Sequence, residues 1–296
     1  MKKEKYDLVF CLGVGCSGTQ LLREAGLQLA TFPLDWVGRG TIRARTEIVL
    51  GEFADWLKQD QLELLEVAPD GVNDLYLNRI NGQEIAHDFP TGRPLSETFP
   101  VVKDKYDRRI ARFLQLLEKS RKVLIVWMGD ARVTDPIAPE EVKDCLQAFS
   151  GKYRKTKFRM LVLDYRKGVP AERPERTQGE DFEIVGLDFR DYADGNWIWA
   201  VHSEMLIPYL EGISVKDYRP ASVRREFRLK RKRAEYERFK ATSVFDLFLT
   251  KLAYRICKQI WKRLEKKGVE VVRPAEALKN TGLGAHGCEH KGRKEK

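Results

Sequence analysis

The sequence predicts an α/β protein, a layered, mixed and largely parallel sheet with helices on both faces, followed by a basic helical C-terminal region. Three observations carry this expectation. An apolar run at residues 6–12 passes directly into glycines and then into a helical pattern, the strand, loop and helix unit of a buried parallel sheet. Apolar strands and amphipathic helices alternate again between residues 103 and 163, the spacing of layered α/β domains. The dipeptide Asn81-Gly82, between two strand-like runs, signals a hairpin and adds an antiparallel element.

The elements follow in order. Residues 6–12 are short and apolar, as a buried strand requires, and residues 19–25 form a helix closed by Gly26. A second helix is expected over residues 43–57, where Ile48, Val49, Phe53 and Leu57 recur at helical spacing. Residues 72–80 and 84–89 are the hairpin strands. The segment KDKYDRRIARFLQLLEKSR, residues 103–121, places Tyr106, Ile110, Phe113, Leu114 and Leu117 on one helical face. A strand at 122–128, a helix at 139–149 and a strand at 158–163 complete the alternation. After Gly168 the segment VPAERPERTQGED reads as a loop, FEIVGLDF as a strand, and NWIWAVHSEMLIPYL as either strand or helix.

Charge separates the chain into parts. Residues 212–296 carry 24 Lys and Arg against 10 Asp and Glu, a net of +14, whereas residues 1–211 are net −4. The expected organisation is an α/β domain at 1–211, a basic helical extension at 212–278 and a disordered tail at 279–296. Residues 219–267 are basic and amphipathic, which suits a solvated helix face or an anionic membrane surface, and nucleic acid is not the expected partner. The opening MKKEKYDLVFCLG is too short in its apolar part and too polar at Asp7 for a signal peptide, and no run of about 18 apolar residues suggests a membrane span. Five cysteines, at 11, 16, 145, 257 and 288, show no CxxC spacing. Reduced thiols in a cytoplasmic protein, peripheral at the membrane if the basic helices dock there, are the resulting expectation.

The stretch LGVGCSGTQLLREAGLQLATFPLDW, residues 12–36, holds the chemistry and has several readings. Gly13, Gly15 and Gly18 satisfy G-x-G-x-x-G after a strand and before a helix, with Asp35 about 20 residues on, the context of a dinucleotide site. Leu22 is large where such a helix usually offers a small residue to the sheet, and Pro33 interrupts the expected second strand. The words SGTQLL, with Thr19 after Gly18, are similar to the phosphate loop of sulfotransferases, but a basic residue usually precedes Ser-Gly-Thr there. Here no Lys or Arg occurs between Lys5 and Arg23.

A third reading centres on Cys16, a thiol at the first turn of a helix, where the helix dipole favours thiolate and loop amides can face an oxyanion. The simplest structural account is a small buried residue closing the turn. A nucleophilic thiol needs a base, and the chain has four histidines. His286 and His290 lie with Cys288 in a tail expected to be flexible, so no metal site is expected, and no cofactor. His202 sits in an apolar stretch. His87, in QEIAHDFP beside Asp88, ends a strand and is the best candidate.

The segments LGVGCSGTQLLREAGL, FPLDW, AHDF and KYDRRIARFLQLLEKSRKVLIVW occur in that order, and together they resemble a bacterial family named for papain-like cysteine peptidases, of unknown physiological function. The resemblance spans about residues 6–130, with weaker support to about 210. It implies Cys16 as nucleophile, His87 as base and either Asp35 or Asp88 as the carboxylate that orients the imidazole. The implied activity is that of a peptidase or a related thiol-dependent hydrolase or acyltransferase. Its substrate would be a peptide, an amide or a glycan-linked group.

Overall fold

A computed structural model describes residues 3–67, 71–129, 136–189 and 203–219, with 221, 223–225 and 229 as isolated positions. The chain divides into two compact units, Met1–Tyr218 and Arg219–Lys296. The second lies almost wholly outside the described residues, as do His202, Cys257, the segment GAHGCEHKG and most of the basic region at 219–267. The first unit is an α/β structure with a largely parallel central sheet.

Among the described residues, three sheets organise it. The central one takes strands β2 (Leu8–Cys11), β7 (Lys122–Met128), β8 (Lys157–Tyr165) and β10 (Phe182–Leu187) in parallel, with β9 (Glu175–Gln178) antiparallel at the edge, in the order β2-β7-β8-β10-β9. A four-stranded antiparallel sheet has the order β3-β6-β5-β4, from β3 (Val37–Gly38), β4 (Leu62–Glu66), β5 (Asn73–Asn78) and β6 (Gln83–Pro90). The third pairs β1 (Glu4–Tyr6) with β11 (Ile213–Val215). The described helices are α1 (Ser17–Glu24), α2 (Ile42–Leu50), α3 (Leu95–Lys119), α4 (Pro139–Lys152) and the short α5 (Ser203–Leu206).

Strand periodicity sorts the core into two layers. Phe10, Ile125, Trp127, Met160 and Val162 point to one face, where Phe113 of α3 and Phe149 of α4 meet them. Val9, Cys11, Val126, Met128 and Leu163 point to the other, under Leu21 and Leu22 of α1 and Leu206 of α5. Neighbours on a strand face opposite ways, so a strand apolar at every position is one covered on both faces. Phe10 sits 5.0 Å from Phe113 and 6.3 Å from Phe149 between ring centroids, both edge-on.

The structure departs from the expected elements at several places. The first strand breaks at Asp7, whose carboxylate accepts the Arg121 and Lys122 amides at 2.9 and 3.1 Å, so β1 and β2 choose different partners. Helix α2 stops at Leu50 and not near 57. Glu52, Phe53 and Asp55 adopt left-handed φ of 57, 58 and 55°, which turns Phe53, Trp56 and Leu57 inward. That burial outweighs helix propensity. Helix α3 begins eight residues before the expected start and runs through Pro100. The segment read as a loop after Gly168 contains β9, which is wholly exposed and is held by its antiparallel register with β10. The sequence around 203–210 is helical.

Candidate functional site

The glycine loop between β2 and α1 is built by three glycines with three different duties. A Cβ on Gly13 would lie 2.4 Å from the Met128 amide nitrogen, so the ends of β2 and β7 approach too closely for any side chain. Gly15 has φ +75° with open space beside it, a backbone requirement alone. A Cβ on Gly18 would fall 2.5 Å from Cys11 Sγ, which lets α1 close onto the sheet. Cys16 is the N-cap of α1, half-buried, with φ −84° and ψ −19°.

The floor of this loop holds buried charge. Arg45, fully buried on α2, donates from Nη1 to the Gly13 carbonyl at 2.5 Å, from Nη2 to Val37 at 2.5 Å and from Nε to Arg39 at 3.0 Å. One guanidinium thus pins the loop to the segment that enters the antiparallel sheet. Asp35 is also fully buried, and its Oδ2 accepts the Phe32 amide at 2.5 Å and the Gln28 side-chain amide. Burial raises its pKa from 3.8 to about 7, opposed by the Phe32 amide and by Arg23 and Arg109. Thr19 Oγ1 also opposes the rise without reaching hydrogen-bond geometry. It, Asp35 Oδ1 and Arg109 Nη1 lack hydrogen-bond partners among the described residues. Cys11, beneath them, is pushed to about 12, first by burial and then by Asp35.

The rim holds Cys16 and His87, the two residues expected from sequence to form the thiol and base pair. Burial raises the Cys16 thiol, and its own backbone amide opposes the rise, so the helix N-terminus does not leave a ready thiolate. His87 is exposed on β6, and its ring packs edge-on against Trp36 at 6.0 Å and 88°. Arg23 lies over the same indole at 4.7 Å and donates to Gln28 Oε1 and Thr31 Oγ1 at 2.9 and 3.0 Å. The Gly15 amide donates to the Val37 carbonyl at 2.9 Å, and Val37 pairs with Ile85 of β6. The loop and the His87 strand are therefore joined through the short strand β3. No hydrogen bond joins Cys16 to His87 among the described residues.

The two candidate carboxylates face elsewhere. Because β6 continues to Pro90, Asp88 points away from the His87 ring toward α3, where Tyr106 Oη donates to it at 2.6 Å and Lys105 forms an ion pair. Asp35 belongs to the floor. Sequence reading missed Arg45, and its one signal was a cation sharing the buried face of α2 with Ile42 and Val49.

The phosphate readings meet two obstacles. The Val14 and Gly15 amides are already donated, to the Met128 and Val37 carbonyls at 3.1 and 2.9 Å. After α1 the chain leaves for the antiparallel sheet, so no parallel strand follows at once, as a dinucleotide-binding unit needs.

No curated protein and no solved structure matches the chain. A family model described as "Putative papain-like cysteine peptidase" matches residues 7–168, just over half of the sequence and the whole of the loop, the β6 strand and α3. The chain belongs to that family.

Proposed function

We propose that this protein is a thiol-dependent hydrolase or acyltransferase with Cys16 as nucleophile and His87 as base, acting on a peptide or amide. The observation that supports it most is Cys16 itself, a half-exposed thiol at the cap of α1, on a loop hydrogen-bonded to the strand that pairs with the His87 strand. Because burial raises the thiol, the free enzyme stores it protonated, and attack requires a base at the moment of reaction. His87 takes the Sγ proton as sulfur bonds to the carbonyl carbon, then returns it to the leaving amine. Water, or an acceptor nucleophile, next releases the acyl group from sulfur.

The orienting group for His87 is Trp36, by packing, since Asp35 and Asp88 are held by other partners. This reading is a dyad with an aromatic wall. Hydrogen bonds between such partners are often long before substrate binds. With the Val14 and Gly15 amides engaged, an oxyanion would draw on the first turn of α1.

Iodoacetamide labelling of Cys16, followed by peptide mass spectrometry from pH 5 to 10, tests the pair. The expected result is labelling at neutral pH that falls several-fold in His87→Ala, with Cys11 protected throughout. Identical pH profiles in the two proteins would overturn the assignment of His87.

A further inference from the structure

On the face of the sheet opposite α1, a crevice of about 340 Å³ opens at the carboxyl ends of β2, β7 and β8. Its wall includes Val14, Ile42, Trp127, Gly129, Glu141 and Asp164. In open α/β sheets this edge is where ligands bind, and the volume lies at the small end of the roughly 300–1,000 Å³ typical of small-molecule sites. The first turns of α2 and α4 line it as well, through Ile42 and Glu141.

The wall has a specific chemistry. Trp127 is 4% exposed, and its Nε1 has no hydrogen-bond partner among the described residues. Buried indole N–H groups ordinarily find an acceptor. Asp164 is likewise 4% exposed. Its Oδ2 accepts from the Ile137 amide at 3.2 Å and from Arg166 at 2.9 Å, while Oδ1 faces Gly129. The position a Cβ would take on Gly129 is 3.6 Å from Asp164 Oδ1 and 3.9 Å from Trp127 Nε1. The missing side chain therefore leaves room between an acceptor and a donor. Glu141, half-buried across the crevice, adds a second acceptor, and its Oε2 accepts the Ala138 amide at 3.4 Å.

The geometry points to a binding site in this crevice for an uncharged ligand with adjacent hydroxyl groups, the chemistry shared by a monosaccharide and the ribose of a nucleoside. A hydroxyl beside Gly129 donates to Asp164 and accepts from Trp127, which neither an apolar group nor an anion does. Among the described residues the lining carries the carboxylates of Asp164 and Glu141 and no Lys or Arg, a charge that disfavours phosphate. The indole N–H repels a bare cation. The site is independent of the thiol chemistry proposed for Cys16.

Calorimetric titration of the full chain tests the site with adenosine, 2′,3′-dideoxyadenosine, methyl glucoside and magnesium chloride. Two variants accompany it. Trp127→Phe removes only the donor, and Gly129→Ala places a methyl group at ordinary contact distance from its neighbours. Binding of adenosine but not its dideoxy form identifies a nucleoside ribose, and binding of the glucoside alone identifies a sugar. In either case affinity falls at least fivefold in Trp127→Phe and tenfold in Gly129→Ala, with thermal unfolding of the free variants unchanged. Silence of adenosine and the glucoside overturns the proposal, as do equal binding of dideoxyadenosine, saturation by magnesium alone and wild-type affinity in Trp127→Phe.

Discussion

The floor and the rim of the glycine loop are opposite in physics. The floor buries Arg45, Asp35, Thr19 and Cys11 completely or nearly so, and its polar groups act on one another at low dielectric. At the rim, Cys16 and Trp36 are half-buried and His87 is exposed. The two cysteines make the difference concrete. Cys11, inside, is pushed to about 12, while Cys16, five positions on, is raised by a smaller burial and remains reachable by solvent. Burial, more than position on a helix, decides which thiol can react.

Floor substitutions are therefore expected to change stability and rim substitutions to change chemistry. The largest effect is expected for Arg45→Met, which strands the Gly13 and Arg39 carbonyls, leaves Val37 with the Gly15 amide alone, and costs about 3 kcal/mol or more in denaturant unfolding. A loss under 1 kcal/mol would show that the loop holds its shape without the guanidinium.

Asp35→Asn comes next, and its effect depends on pH. The folded-state pKa, about 7, lies above the ordinary 3.8, so the folded protein holds this proton longer than the unfolded chain. The stability it contributes is complete below about pH 4 and is lost as pH rises through about 7. Relative to wild type, the asparagine variant gains on the order of 3 kcal/mol between pH 5 and pH 8. Parallel stability curves for the two proteins would remove Asp35 from the floor's electrostatics.

Gly15→Ala is smaller, about 1–2 kcal/mol, because only the positive φ resists the methyl group and nothing lies within 4 Å of it. A comparison of melting temperatures reads this directly, and an unchanged value would mean that the loop relaxes. At the rim, His87→Ala and Cys16→Ser change unfolding free energy by only about 0.5 kcal/mol or less, as exposed or half-buried sites do. A large destabilisation in either would make the rim structural and weaken the thiol reading.

Much of the fold was legible because its signals are local. The strand at 122–128 reads the same in sequence and structure, since seven apolar-rich residues between two helices have one buried solution. The Asn81-Gly82 turn was equally clear: Gly82 takes φ +67° and the Asn81 side chain accepts the Gln83 amide at 3.1 Å. The early end of α2 was not legible. Phe53, Trp56 and Leu57 keep helical spacing in sequence, and only the presence of Phe113 and Tyr106 on α3 rewards turning them out of the helix.

The candidate site divides the same way. Sequence alone determined that a glycine loop follows a buried strand, that Cys16 sits at the start of a helix, and that the segments holding Cys16, Asp35 and His87 occur in the order of a known family. Those are properties of short windows. Tertiary structure decided that Asp88 belongs to Tyr106 and Lys105, that Asp35 lies under the loop with Thr19, and that Arg45 holds the loop from below. It also brought Trp127, Gly129 and Asp164 to one crevice, from strands adjacent in space and some 35 residues apart in the chain. Burial and hydrogen-bond geometry depend on which elements pack together, and no window of the sequence contains that information.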